Sequence, residues 1–268
     1  LFLLYKAVHQ GLPIILEGPI ATGKTELAKT LAKILDKTFY RVDGDDSLTA
    51  IKLKGWFDPP LVLKKGFSLD TFIPGPLTQA MREGGIFFFN ETNRAPSETI
   101  NAVLSALDEK MITVPQLGEI KAKNGFLPIF AFNPQETIAT NPLPSAFYDR
   151  CIWIKLLPQS LEEMIEITTM RTKCNDTFLI KLSCEIVQAT LVHPELKKAS
   201  TVRGAIQLVH LLYPQETITR DTLLSVVLPI HSRKITIKST SAKNEESILT
   251  EITDKLSLIH ISEPTRPY

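Results

Sequence analysis

The chain has 268 residues, 44% of them hydrophobic and 22% charged, with 30 Lys and Arg against 29 Asp and Glu for a formal charge of +1. This is enough chain for one large domain or one domain with a smaller companion, and the composition excludes collagen-like, mucin-like and wholly disordered proteins. The balanced charge leaves no broad field for nucleic acid or anionic membrane, so no specific nucleic acid and no membrane is expected as a partner.

No apolar run reaches the roughly 18 residues that a membrane span needs. The opening 1–8 stretch lacks the basic start and cleavage site of a signal peptide. Three cysteines, Cys151, Cys174 and Cys184, are widely spaced without a C-x-x-C or Cys/His cluster, which argues against a disulfide framework and a zinc site and for a reducing compartment. The five histidines, His9, His193, His210, His231 and His260, are scattered singly. The expectation is a cytoplasmic protein whose natural start is missing, since residue 1 is not Met.

In chain order, 13–17 is a short apolar strand, 24–35 has the helical spacing of Leu27, Ala28, Leu31, Ala32 and Leu35, and 38–42 reads as a second strand. The runs 86–89 and 129–132 are continuously apolar, as in strands buried on both faces of a parallel sheet. Helical stretches at 76–82 and 97–107 separate them. This succession predicts an α/β layered domain. After Leu157-Pro158 the spacing becomes helical at 161–170, 178–191, 201–212 and 220–228, with no strong strand among them. A small helical domain is therefore expected, followed by a polar loop at 234–246 and a last short helix at 246–256. No internal repeat or low-complexity segment is present. From about Leu256 the chain resembles the conceptual translation of a transposon-end sequencing adapter, so 256–268 is set aside as an artefactual tail.

The strand at 14–16 runs directly into Gly18-Pro19-Ile20-Ala21-Thr22-Gly23-Lys24-Thr25, which is G-x-x-x-x-G-K-[ST] with a strand before it and a helix after. Such a loop points successive backbone N–H groups at a polyphosphate, and the helix N-terminus adds partial positive charge. Lys24 would reach the β and γ phosphates of ATP, and the Thr25 hydroxyl would ligate Mg²⁺.

Phosphate-loop hydrolases carry a second apolar strand that ends in an acid holding the metal, often through water. Here Ile86-Phe87-Phe88-Phe89-Asn90-Glu91 supplies the strand, with Asn90 where Asp is expected. Asn90 can accept a hydrogen bond from a metal-bound water but adds no charge, a loss of about 1–2 kcal/mol. Glu91, just past the strand tip, is placed to orient and deprotonate the water that attacks the γ-phosphate.

The string Gly85-Ile86-Phe87-Phe88-Phe89-Asn90-Glu91-Thr92-Asn93-Arg94-Ala95-Pro96 resembles the MoxR family of AAA+ ATPases, whose usual sequence there is D-E-x-N-R-A-P. The resemblance covers roughly 4–256. It implies a P-loop AAA+ core over 1–157, with an insert at about 43–76 and a hairpin at about 110–123, and a helical lid over 158–255. Further positions match. Phe130-Ala131-Phe132-Asn133-Pro134 resembles the sensor 1 strand end, so Asn133 would hold the attacking water or the γ-phosphate. Pro144-Ser145-Ala146-Phe147-Tyr148-Asp149-Arg150 resembles L-x-x-A-x-x-D-R-F, with Cys151 in place of Phe and Arg150 as the arginine finger entering a neighbour's site. Ser200-Thr201-Val202-Arg203-Gly204 resembles sensor 2. Ser200 is read as the helix N-cap, which puts Arg203 in the first turn against the helix dipole and favours a phosphate partner. Trp56, Phe57, Phe67 and Phe72 in the insert could pack or grip a client.

The resemblance implies ATP hydrolysis with Mg²⁺ in a homo-oligomeric, hexameric ring that remodels a client protein, in company with a protein carrying a von Willebrand factor A domain. Two alternatives stand beside it. One is a nucleotide-switched assembly module with little hydrolysis, motivated by Asn90. The other is a DNA-remodelling AAA+ protein, disfavoured by the balanced charge.

Overall fold

The computed structural model describes residues 2–134, 142–215 and 218–261 and divides into two compact units, Leu1–Pro158 and Gln159–Tyr268. In the first unit the elements follow as α1 (Phe2–His9), β1 (Ile14–Glu17), α2 (Lys24–Ile34), β2 (Phe39–Asp43), α3 (Ala50–Lys54), β3 (Gly55–Phe57), α4 (Pro59–Lys65), β4 (Phe72–Pro74), α5 (Pro76–Glu83), β5 (Ile86–Asn90) and a 3₁₀ turn (Thr92–Arg94). They continue with α6 (Ser97–Glu109), β6 (Met111–Val114), β7 (Gly118–Lys121), β8 (Leu127–Phe132), α7 (Ser145–Arg150) and β9 (Ile152–Lys155).

Five strands form one parallel sheet in the order β2-β5-β8-β1-β9. Side chains of a strand alternate between faces, and here both faces are apolar. Ile15, Phe87, Phe89, Phe130 and Phe132 pack on one side with Leu77, Met81, Val103 and Phe147, from α5, α6 and α7. Ile14, Leu16, Ile86, Phe88, Ile129 and Ala131 pack on the other with Leu4, Ala28 and Ala32, from α1 and α2. Phe130 meets Phe147 edge to face, with ring centroids 4.6 Å apart. Burial on both sides is why these strands read as unbroken apolar runs. The result is the α/β layered architecture expected from the sequence, with helices on both faces of a parallel sheet.

Between β2 and α5 the chain places α3, α4 and the two-stranded β3–β4 ladder, and between α6 and β8 it places the β6–β7 hairpin. Of the insert's aromatic residues, Phe72 is buried and Phe57 packs against both Phe67 and Phe72, with centroids 4.9 and 5.3 Å away. Trp56 and Phe67 are exposed. Cys151 is buried and forms the C-cap of α7, one residue before β9. Burial pushes its thiol up to about 12.

The second unit contains α8 (Leu161–Thr172), α9 (Thr177–Val192), β10 (Leu196–Lys198), α10 (Val202–Leu212), α11 (Arg220–His231), β11 (Thr236–Ile237) and α12 (Glu245–Ile261). Its core joins Met164, Leu182, Ile186, Val187, Leu208, Val209, Leu223, Val227, Ile248 and Leu249. The expectation of helices alone is corrected by the antiparallel β10–β11 pair. In β10 only Leu196 is buried while its two lysines are exposed, so the segment is too short and too polar to register as an alternating strand. The last helix is longer than expected and runs into the segment set aside as a tail, whose 262–268 part lies outside the described residues. Among the described residues no helix is long and apolar enough to cross a membrane.

Candidate functional site

The C-terminal ends of parallel strands leave a crevice in which ligands of open α/β sheets bind. At that edge β1 leads into the glycine loop 18–23. Gly18 N donates to Phe132 O of β8 at 3.3 Å, which ties the start of the loop to the neighbouring strand end. Ala21 and Gly23 have positive φ, 64° and 86°. Left-handed residues in a turn direct backbone N–H groups into a concavity suited to anions. Gly23 is the N-cap of α2, and that helix has no side-chain cap.

Lys24 is folded over its own loop, its Nζ donating to Gly18 O and Pro19 O, both at 2.7 Å. Thr22 Oγ1 donates to Pro19 O at 2.9 Å and braces the turn. Thr25, the next residue of α2, is half-buried. Gly18 accepts no larger residue, because a Cβ there would lie 2.6 Å from Leu156 O.

The register brings the other strand tips into line. Glu17 faces Phe132 across β1–β8, Asn90 faces Ala131 across β5–β8, and Asp43 faces Asn90 across β2–β5. Asn133, directly after β8, is buried. The structure therefore groups the glycine loop, Asn90, Glu91 and Asn133 at one edge of the sheet. Glu91 has φ 51°, a backbone region that a non-glycine residue enters at some cost. Its carboxylate pairs with Arg94 Nη1 at 3.1 Å.

Two residues beside Glu91 were missed in the sequence reading. Gly44 N donates to Asn90 O at 2.8 Å, and a Cβ at 44 would lie 2.2 Å from Glu91 O, so only glycine fits against this peptide. Asp43 Oδ1 accepts from Asn90 Nδ2 at 2.7 Å and is also held by Arg41 Nη2 at 2.7 Å. Burial raises the Asp43 carboxyl, but hydrogen bonds from Arg41 and Asn90 and the Arg41 charge outweigh it and hold the group below the usual carboxylate value. The only sequence signal was an Asp-Gly pair at a strand end. The partner one strand away could not be read from it.

Arg150 is not at this edge. It ends α7 just before β9, whose first residue pairs with Ile14, so it lies at the opposite end of the strands from the loop. Its Nε donates to Asp108 Oδ1 at 2.5 Å and its Nη1 to Ala146 O at 2.8 Å.

Arg203 belongs to the second unit, where it is exposed in the first turn of α10. The expected cap is corrected. Thr201, not Ser200, is the N-cap, and α10 has no side-chain cap hydrogen bond. Ser200 is drawn away because its Oγ lies 2.6 Å from His231 Nδ1 in the buried interior. Gly204 is required at its place, since a Cβ there would meet the His231 ring at 2.5 Å and Ser200 Oγ at 2.7 Å. Burial lowers His231 to about 3, and nearby Lys234 adds to the shift.

Among the described residues no group of three or more His, Cys, Asp or Glu could hold a metal ion. A Mg²⁺ ion bound with a nucleotide takes most of its ligands from phosphate oxygens and water. Thr25 and Asn90 fit that arrangement as hydroxyl and amide oxygens.

Residues 13–151 match the family described as AAA domain (dynein-related subfamily). Among curated relatives, uncharacterized protein YojN of Bacillus subtilis is 35% identical over 68% of this chain and 62% of its own length. Uncharacterized protein SERP0979 of Staphylococcus epidermidis is 30% identical over 79% of this chain and 82% of its own. The chain thus spans less than two thirds of YojN. A crystal structure described as a "putative ATPase" from Cytophaga hutchinsonii shares the fold, with a TM-score of 0.50, 21% identity, and coverage of 94% of this chain and 87% of that one.

Proposed function

Because the chain belongs to the dynein-related subfamily of AAA domains, we propose that it binds Mg²⁺–ATP in the crevice at the strand tips and hydrolyses it to ADP and phosphate. The observation that carries this reading is the glycine loop, backed by β1 and opening α2, with Glu91 on a strand tip of the same sheet edge.

In this reading the backbone N–H groups of 20–24 hold the β-phosphate, and Lys24 exchanges its two carbonyl partners for phosphate oxygens. Mg²⁺, when bound, neutralises charge on the β and γ phosphates. Thr25 supplies a hydroxyl ligand and Asn90 accepts a hydrogen bond from a metal-bound water. Glu91 orients the attacking water and takes its proton. Asn133 holds that water or the γ-phosphate from the adjoining strand end.

Arg150 is too far along the strands to serve the loop of its own chain, since the four residues of β9 separate it from that edge. At about 3.3 Å per residue that is on the order of 13 Å. Its assigned place is the site of a neighbouring copy in a hexameric ring, where a phosphate oxygen would replace Asp108. The motif string 200–204 assigns Arg203 to nucleotide sensing.

The finer role is MoxR-type remodelling of a client protein, with a von Willebrand factor A domain protein as partner. The motif strings support it, as do Trp56, Leu63 and Phe67, exposed on the insert. One observation favours a second reading, a nucleotide-switched assembly module: Asn90 leaves the strand tip without the usual charge.

Phosphate release by the purified chain and by Glu91→Gln decides between them. Hydrolysis that falls about 10²–10⁴-fold in the variant supports the enzyme. Equally negligible rates in both, with ATP still bound, support the module.

A further inference from the structure

Asn90 puts an amide at a strand tip where charge would assist the metal, yet a carboxylate stands directly beside it. Asp43 ends β2 in register with Asn90 at the end of β5. Its Oδ1 accepts from Asn90 Nδ2 at 2.7 Å. Three contacts from Arg41, Nε to Oδ1 and Oδ2 at 3.2 and 2.9 Å and Nη2 to Oδ1 at 2.7 Å, fix the carboxylate from its own strand. An ionised carboxylate only accepts hydrogen bonds, so the amide edge turned to it must be the NH₂, and the Asn90 oxygen is left as the acceptor. Gly44 N holds the Asn90 carbonyl at 2.8 Å, which anchors the same residue through its backbone.

Arg41 and Asp43 are neighbours on one strand, with side chains 40% and 52% exposed. An ion pair this exposed contributes little by itself. It does not explain why the carboxylate also reaches across to the neighbouring strand tip.

We propose that Asp43 is the positioning residue for Asn90: it sets the amide so that Oδ1 is presented to a water of the bound cation, and it carries, one strand away, the negative charge that the tip itself lacks. This rests on the Mg²⁺–ATP reading. Charge and amide are thereby divided between two strands. Moving the charge onto residue 90 while Asp43 remains would set two carboxylates at hydrogen-bonding distance, where they repel.

The test is a charge swap read by cation affinity, with Mn²⁺ as the probe, titrated by electron paramagnetic resonance into protein saturated with ATPγS. Asp43→Asn alone is expected to weaken Mn²⁺ binding about 5–10-fold, the difference between a charge-assisted and a neutral contact. Asn90→Asp alone gives no gain or a loss. The double variant Asp43→Asn with Asn90→Asp returns to within about twofold of the parent, since the swap restores one charge and one amide. Thermal unfolding of each nucleotide-free variant verifies that it is folded, and Asp43→Ser stands in if Asp43→Asn is not. Asn90→Asp raising the affinity by itself, with Asp43→Asn adding independently of it, would overturn the assignment. If the parent protein takes up no Mn²⁺–nucleotide, the Mg²⁺–ATP reading itself fails. If it does and the two positions are uncoupled, only the role of Asp43 fails.

Discussion

Helix α8 enters through Ser160, whose Oγ accepts from Glu163 N at 3.2 Å while Ser160 N donates to Glu163 Oε2 at 2.9 Å. Helix α2 enters through Gly23, with φ 86° and no side-chain cap. Both helices face the same problem, because the first N–H groups of any helix lack partners inside it. The second unit solves it with a capping box and thereby stabilises its fold. In the first unit the preceding loop is curled by positive φ at Ala21 and Gly23, and the N-cap glycine brings no side chain to the helix start. A helix start stripped of its own cap adds little stability but leaves positive potential for an anionic ligand. One end is built for folding and the other for binding.

The contrast can be broken from the binding side first. Gly23→Asp puts a negative charge at the helix start, and the added Cβ meets open space. Mg²⁺–ATP affinity measured by calorimetry is expected to fall about 100-fold or more, as like charges meet in the crevice. The backbone cost of a non-glycine residue at that φ is only about 1 kcal/mol. Unchanged affinity would mean that the loop is not a phosphate cradle.

In the second unit the next effect is steric. Gly204→Ala drives a methyl group into the His231 ring and Ser200, and urea unfolding should show a loss of about 1–3 kcal/mol. His231 also sets a pH dependence. Its folded value of about 3 lies below the ordinary 6.5, so the unfolded chain binds a proton that the folded chain refuses. Stability is full above about pH 6.5 and is lost as pH falls towards 3, at a slope approaching about 1.4 kcal/mol per pH unit. Unfolding curves of His231→Phe should lack that contribution. The smallest effect belongs to the cap itself. Ser160→Ala should cost about 1 kcal/mol of stability and leave ATP affinity as it was.

What could be read in the sequence follows from which interactions are local. β1, β5 and β8 were legible because burial on both faces makes their residues continuously apolar. The glycine loop was legible because its spacing is contiguous and lies between a strand and a helix. Glu91 was legible as the residue after such a strand. Asp43 escaped because its meaning lies in register with Asn90, 47 positions away. Ser200 was misread for a similar reason: as an isolated Ser before a helix it is a good cap, but His231, 31 positions later, competes for its hydroxyl. Gly204, an unfavourable residue inside a helix, finds its explanation in the same buried contact.

Lys24 joins the glycine loop to the chemistry proposed for it, and its ammonium now rests on Gly18 O and Pro19 O. Titration calorimetry of Mg²⁺–ATP into the folded protein and into Lys24→Ala tests the account most directly. Saturable binding by the parent and affinity at least about 100-fold weaker in the variant is the expected result, given roughly 1.5–3 kcal/mol for each hydrogen bond from a charged group. No heat with the parent protein, or equal affinity in both, would contradict it.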